Sequence, residues 1–183
     1  MLATDRRGGY MSTTIVCCNT RKYHGLMVAP IDQSDRTYVL LSSLDETLIQ
    51  HDQAFNLALH RYDGVYEPRG HKYITDFEYT PTPTITYRVG GAILRKELLW
   101  IHKRTQLMIR YTLVDAHSET TLRLRPLRAA RAKHALSKAN MEAAGRAYPI
   151  PFGVKCRLYD GFPWLHMQLN KEDAEFVAAP DWY

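Results

Sequence analysis

The residues from Thr84 to Trp100 restrict the possible fold more than any other part of this chain. Thr84-Ile85-Thr86-Tyr87-Arg88-Val89 alternates in polarity, Gly90-Gly91 interrupts it, and Ala92 to Trp100 returns. Two β-favouring runs joined by paired glycines predict a hairpin with a primed turn, since glycine reaches positive φ without a steric penalty. The same period of two recurs elsewhere. Thr37–Ser42 reads as a strand with Val39 and Leu41 on one face, and Thr47–Gln50 as a further β-like run after Asp45-Glu46. His51–His60 sets Phe55, Leu57 and Leu59 against Asn56, Ala58 and His60. Thr105–Asp115 sets Leu107, Ile109, Tyr111 and Leu113 against Met108, Arg110 and Thr112. In Thr120–Arg125, Leu122 and Leu124 oppose Arg123 and Arg125. Val154, Cys156 and Leu158 alternate with Lys155, Arg157 and Tyr159, Asp160-Gly161 turns the chain, and Trp164–Leu169 goes back.

Helix is scarce in this reading. Ala129–Ala147 is rich in Ala, Lys, Leu, Met and Glu, which suits a helix, or it is a long excursion between strands. Tyr62–Tyr79 reads as irregular, with Asp63-Gly64 and Glu67-Pro68-Arg69-Gly70 as turn signals. Many strands with faces of different polarity predict one domain over residues 1–183, all-β, built as a large antiparallel β-sandwich with little helix. Ala179-Pro180-Asp181-Trp182-Tyr183 ends on two aromatics, which suggests a cut inside a longer protein.

Composition narrows the function classes. The formal charge is +5, and Thr120–Met141 holds six Arg or Lys residues and no acid. No helix-turn-helix, zinc-finger or RNA-recognition pattern accompanies that cluster, so nucleic acid is not an expected partner. No apolar run approaches the roughly 20 residues of a membrane span, and no secretion signal opens the chain, so the expected compartment is the cytoplasm. Cys17, Cys18 and Cys156 make neither a disulfide framework nor a zinc site, and the eight histidines lack ligand spacing. No metal and no cofactor are expected.

Glycoside hydrolysis usually needs two carboxylates about 5 to 10 Å apart. Asp45 and Glu46 are adjacent and would face opposite ways on a strand, and Glu172-Asp173-Glu175 reads as a solvated turn. No catalytic residue is therefore assigned. What the chain offers is material for contact with a polar ligand. Gly8–Pro30 opens on paired glycines, continues through a β-favouring run Met11–Cys18, and reaches Asn19-Thr20-Arg21-Lys22-Tyr23-His24-Gly25 before the strand Leu26–Ala29. Asn19, Arg21, Tyr23 and His24 supply donors and a flat ring, and Arg69 and His71 in Tyr66–Tyr73 form a second supply. The plainer alternative is a corner whose Arg and His cap carbonyls, with most of the twelve tyrosines filling sheet faces. Arg123 and Arg125 read as an ion-pair or docking surface.

Several of these stretches, in their order, resemble the N-terminal domain of prokaryotic-type glycogen debranching enzymes, the amylo-α-1,6-glucosidases. They are Gly8-Gly9-Tyr10, Asn19–Leu26, Val39–Glu46, Pro68-Arg69-Gly70-His71, Pro83–Gly91, Leu124-Arg125-Pro126-Leu127 with Arg131 and His134, and Pro180–Tyr183. Asp5-Arg6-Arg7 departs from the family, which more often has Asn and small residues before the glycines. The resemblance implies a β-supersandwich of the galactose-mutarotase-like type, followed in the whole enzyme by an (α/α)₆ barrel that holds the acid and base. It implies a part in removing α-1,6-linked glucose from bacterial glycogen, with the chain's own catalytic domain and branched α-glucan as partners. Asn19–Leu26 would either pack on the barrel or lend Arg21, Tyr23 and His24 to its cleft. An independent α-glucan-binding module is the second reading. A mutarotase-like enzyme ranks third, since no acid is visibly paired with His24, His71 or His134.

Overall fold

A computed structural model describes residues 1–31, 36–138, 140–171 and 173–179. Asp32–Asp35, Ala139, Glu172 and the terminal Pro180–Tyr183 lie outside the described residues. The strands are β1 (Leu2–Thr4), β2 (Tyr10–Ser12), β3 (Gly25–Pro30), β4 (Thr37–Gln50), β5 (Gln53–Asn56), β6 (His60–Tyr62), β7 (Val65–Glu67), β8 (Ile74–Tyr79), β9 (Pro83–Val89), β10 (Ala92–Trp100), β11 (Leu107–Ala116), β12 (Thr121–Ala132), β13 (Ala147–Ile150), β14 (Gly153–Cys156) and β15 (Leu165–Gln168). One 3₁₀ turn covers Gly70–Tyr73. Among the described residues there is no α-helix, and no helix long and apolar enough to cross a membrane.

The pairing is antiparallel throughout. One sheet runs β1-β2-β3-β4-β12 with β5 also on β4, a second runs β11-β10-β9-β8, a third β13-β14-β15, and β6 pairs β7 as a ribbon. The first two sheets bury their apolar rows against each other. Leu48 of β4 joins Ile85, Tyr87 and Val89 of β9 and Ala92 and Leu94 of β10 in one core cluster. Met11, Leu26 and Leu41 join Leu98 and Trp100 in another. This is the all-β sandwich that the alternation predicts, with the apolar row of each strand turned inward.

β4 is the long member because Asp45 and Glu46, read as a break between two runs, both find partners on other strands. Its fourteen residues continue through the acids. Asp45 meets His60, whose Nε2 lies 2.8 and 2.9 Å from the two carboxylate oxygens. Glu46 points into the core, where Lys96 Nζ lies 2.6 Å and the Tyr111 hydroxyl 2.5 Å from its Oε1.

Three local expectations need correction, and one open reading is decided. Ala129–Ala147 is the excursion and not the helix: β12 extends through Ala132 on the ladder with β4, and turns follow. Pairing along β4 overrides alanine's helix propensity there. The run Met11–Cys18 stops being strand at Ser12, because the Thr14 hydroxyl takes the Cys18 backbone N–H at 3.0 Å and donates to the Cys18 carbonyl at 2.9 Å. Such side-chain bonding competes with a ladder. His51–His60 is strand only over β5 and from His60, after a turn in which His51 and Asp52 take positive φ. Tyr62–Tyr79 is more regular than its composition suggests, holding β7, the 3₁₀ turn and β8; β8 is an edge strand, so several of its side chains face water and no clean alternation results.

The buried polar cluster fixes an alkaline limit. Burial, and the negative charge of Glu46 beside it, push the Tyr111 hydroxyl well above its ordinary value, and burial does the same for Tyr87 and the Cys17 thiol. Burial disfavours the charge on Lys96, yet Cys17 and Glu46 more than offset it and hold the ammonium protonated well above its usual range. All four groups bind protons more tightly folded than unfolded, so their stabilisation is complete below the unfolded values and is lost above them. Urea midpoints should therefore be level near pH 8 and fall from about pH 9 upward, as the unfolding free energy drops by roughly 1.4 kcal/mol per pH unit for each group that ionises only on unfolding. Midpoints unchanged to about pH 11 would contradict the buried cluster.

Candidate functional site

The segment between β2 and β3 is held by its own side chains. Cys17 takes a left-handed backbone, φ 54°, in the turn that the Thr14 hydroxyl closes. Asn19 then ties the loop to the sheet: its amide donates to the Ser42 carbonyl at 2.8 Å and Oγ at 3.2 Å, and its Oδ1 accepts from Thr13 at 3.1 Å. The next turn folds on itself, with the His24 backbone N–H on the Arg21 carbonyl at 2.9 Å and the Thr20 N–H on His24 Nδ1 at 3.2 Å. Burial, helped by the positive charge of Arg21, holds the His24 imidazole below its ordinary value. A neutral ring accepting at Nδ1 carries its proton on Nε2, so His24 presents a donor outward.

Tyr23 is braced from the far side of the chain. Its ring stands edge-on to His134, centroids 5.5 Å apart, and its hydroxyl lies 3.3 Å from His134 Nδ1. Arg131 donates to the Lys22 carbonyl at 2.7 Å and the Ala135 carbonyl at 2.9 Å, and the Tyr10 hydroxyl donates to the Tyr23 carbonyl at 3.1 Å. The excursion after β12 is thus stitched to the Asn19–Leu26 stretch.

Two open hollows result. Arg21 and His24 line one of about 520 Å³ with Thr13, Thr14, Ile15 and Thr20. Arg69 and His71 line another of about 500 Å³ with Leu59, Gly64, Val65 and Tyr66. The second is framed by the β6–β7 ribbon and the 3₁₀ turn, which are pinned where the Gly70 N–H donates to the Ala58 carbonyl at 2.8 Å. The loop that carries the first hollow and the ribbon that frames the second are each tied to β4, through Asn19 at Ser42 and through His60 at Asp45.

The six candidate residues therefore divide by role. Asn19 is a structural tie, and Tyr23, still 41% exposed, is a propped ring. Arg21 with His24, and Arg69 with His71, face open space in two separate hollows. Chemically these offer donors, hydroxyls and the exposed Tyr66 ring, a set suited to a hydroxyl-rich ligand. Sequence reasoning missed the Asp45–His60 pair and the bracing of the Lys22–Tyr23 turn by Arg131 and His134, since each contact joins residues far apart in the chain. Among the described residues no group of three His, Cys, Asp or Glu side chains is placed to hold a metal ion.

Fold and surface together define an antiparallel β-sandwich domain with two open polar hollows among the described residues. The chain belongs to the glycogen debranching enzyme N-terminal family, whose description matches residues 1–183, its whole length. Comparison with curated proteins and with solved structures gave no match.

Proposed function

We propose that this domain supports hydrolysis of α-1,6-glucosidic branch points without performing it, by docking on a catalytic (α/α)₆ domain and helping to shape its glucan cleft. The observation that carries this reading is the pairing of its buried acids within a whole-chain member of the debranching family. Glu46 is committed to Lys96 and Tyr111, Asp45 to His60, and Asp5 accepts the Arg7 and Gly9 N–H groups at 2.7 and 3.0 Å. A carboxylate so engaged is not poised to deliver a proton to a glycosidic oxygen. The hollows at Arg21–His24 and Arg69–His71 supply hydroxyl-binding groups on loops positioned by a sheet, as contact sites commonly do. A cytoplasmic setting fits this role, glycogen being an intracellular store.

The test uses the chain itself. Incubated with branched limit dextrin it should release no glucose. Titrated with maltoheptaose, its amide signals at Arg21, His24, Tyr66, Arg69 and His71 should move together. Sugar release would overturn the non-catalytic role. Silence of both hollows at millimolar sugar would remove glucan contact and leave docking alone. A second reading, in which the domain anchors glucan independently, is favoured by the exposed Tyr66 and Tyr23 rings. Saturable binding by the chain alone, with no catalytic domain present, selects it.

A further inference from the structure

The two hollows differ in a way that decides what each can hold. In the second, Arg69 Nε lies 3.3 Å from Glu67 Oε1, so a neighbouring carboxylate balances its charge. In the first, no acid stands among the lining residues. The Arg21 side chain that lines it has no hydrogen-bond or ion-pair partner among the described residues. We propose that the first hollow is a binding site for a phosphate monoester, held by Arg21 and His24.

The local turn brings these two groups together. The His24 N–H on the Arg21 carbonyl makes them the first and fourth residues of a β-turn, with Cα atoms within about 7 Å. The Thr20 N–H on His24 Nδ1 leaves the Nε2–H of the ring as a donor to the hollow. Thr13 and Thr14 spend their hydroxyl protons on Asn19 Oδ1 and the Cys18 carbonyl, at 3.1 and 2.9 Å, whereas Thr20 does not. The wall therefore offers a guanidinium fork, an imidazole N–H and one hydroxyl, with no carboxylate to accept in return. A sugar hydroxyl both donates and accepts. A phosphate dianion only accepts, on three terminal oxygens, and takes a guanidinium through two parallel bonds. Arg131 on the Lys22 carbonyl and Tyr10 on the Tyr23 carbonyl set the turn beforehand, so little freedom is lost on binding.

The wider field has the same sign. Arg6 to Ile31 holds four Arg or Lys residues and no acid, and Thr120 to Met141 holds six and none. Tertiary structure joins the two stretches at this turn: Arg131 donates to the Lys22 carbonyl, and Lys22 Nζ to the His134 carbonyl at 3.5 Å. A surface of one sign raises the local concentration of anions. Size selects an ester over a bare ion. A hollow of about 520 Å³ is in the range of small-molecule sites, and Ile15, 47% exposed, gives the rest of such a ligand an apolar wall. The inference narrows the contact role proposed above and rests on that reading only in taking this hollow as a ligand site; it does not require glucan.

NMR titration of the chain with inorganic phosphate, glucose 6-phosphate and adenosine monophosphate tests it, with maltoheptaose as the neutral comparison. Saturable shifts at Arg21 and His24 are expected with the phosphates, the esters binding more tightly than the bare ion. The charges that reach the His24 ring, those of Arg21 and the Met1 ammonium, disfavour its protonation, and a bound oxyanion opposes them. The imidazole midpoint should therefore rise by about one pH unit on saturation. Arg21→Gln should weaken binding about tenfold or more, the size of one charge-assisted contact. Arg21→Lys, which keeps the charge and loses the fork, should restore part of it. Neither variant removes a bond that holds the fold, so urea midpoints should stay level while binding falls. Equal shifts at His71, or binding that Arg21→Gln leaves intact, would mean general attraction to a basic surface and overturn the site. Movement of Arg21 and His24 with maltoheptaose but with no phosphate overturns it too, and leaves the glucan reading standing. Silence of this hollow with every ligand overturns it and leaves that reading only the second hollow.

Discussion

Replacing Lys96 with methionine should destabilise this domain by about 3–5 kcal/mol, the range found when one partner of a buried ion pair is removed. Lys96 is fully buried, and its ammonium is 2.6 Å from Glu46 Oε1 and 3.7 Å from the Cys17 sulfur. Methionine fills similar volume, so the loss is chiefly electrostatic: a carboxylate between two sheets would keep only the Tyr111 hydroxyl. Protonating that carboxyl removes the uncompensated charge, so the deficit should narrow as the solution is made acidic. Adding Glu46→Gln should recover much of the loss for the same reason, since an uncharged pair is cheaper to bury than a single ion. Urea unfolding of the two variants across pH checks both. A Lys96→Met protein within about 1 kcal/mol of the wild type, with no acid recovery, would mean that the pair is hydrated and not sealed in the core.

The second large effect is expected at Gly70, in the Pro68-Arg69-Gly70-His71 stretch. A β-carbon there would fall inside the carbonyl carbon and oxygen of Leu57. Those are backbone atoms, so no side chain can rotate away. The 3₁₀ turn must move off residues 57–58, stretching the Gly70 N–H bond to the Ala58 carbonyl. Gly70→Ala should cost about 1–3 kcal/mol or more through overpacking and should shift the His71 and Arg69 signals, because the second hollow is built on that turn. Gly64→Ala is the informative contrast. Its φ of 74° strains an alanine by about 1–2 kcal/mol, but nothing lies within 4 Å of the added carbon, so the Arg69–His71 signals should hold still. Equal perturbation of the hollow by both variants would dissociate Gly70 from the site.

Particular residues show how far local pattern reaches. The Thr84–Trp100 hairpin was legible because every second residue is apolar and two glycines take positive φ, 59° and 78°, at the turn. The same alternation puts Lys96 in the inward row of Ala92, Leu94, Leu98 and Trp100, though only an acid from the opposite sheet makes that position tolerable. For Asp45 and Glu46, adjacency in a strand correctly separated their faces, yet their partners, fifteen and fifty residues away, could not be read from it. Ala129–Ala147 stayed open between helix and excursion for the converse reason: its residues favour helix alone, and the ladder with β4 outweighs a few tenths of a kcal/mol per residue. Asn19 and Tyr23 have chemistry that suits ligand contact or docking, and only the fold shows that the first is tied to Ser42 and that the second, still exposed, leans on His134.

The order of side chains by itself settled the β-built class, the inward and outward rows of its main strands, and membership of the glycogen debranching enzyme N-terminal family, since period-two polarity and motif order are local properties of the chain. Tertiary structure alone decided which acids are neutralised, that Asn19 and His60 are both tied to β4, and that Tyr148 and Trp164 meet edge to face. Such arrangements arise when strands distant in sequence pair and pack, and the contacts between them have no period to read.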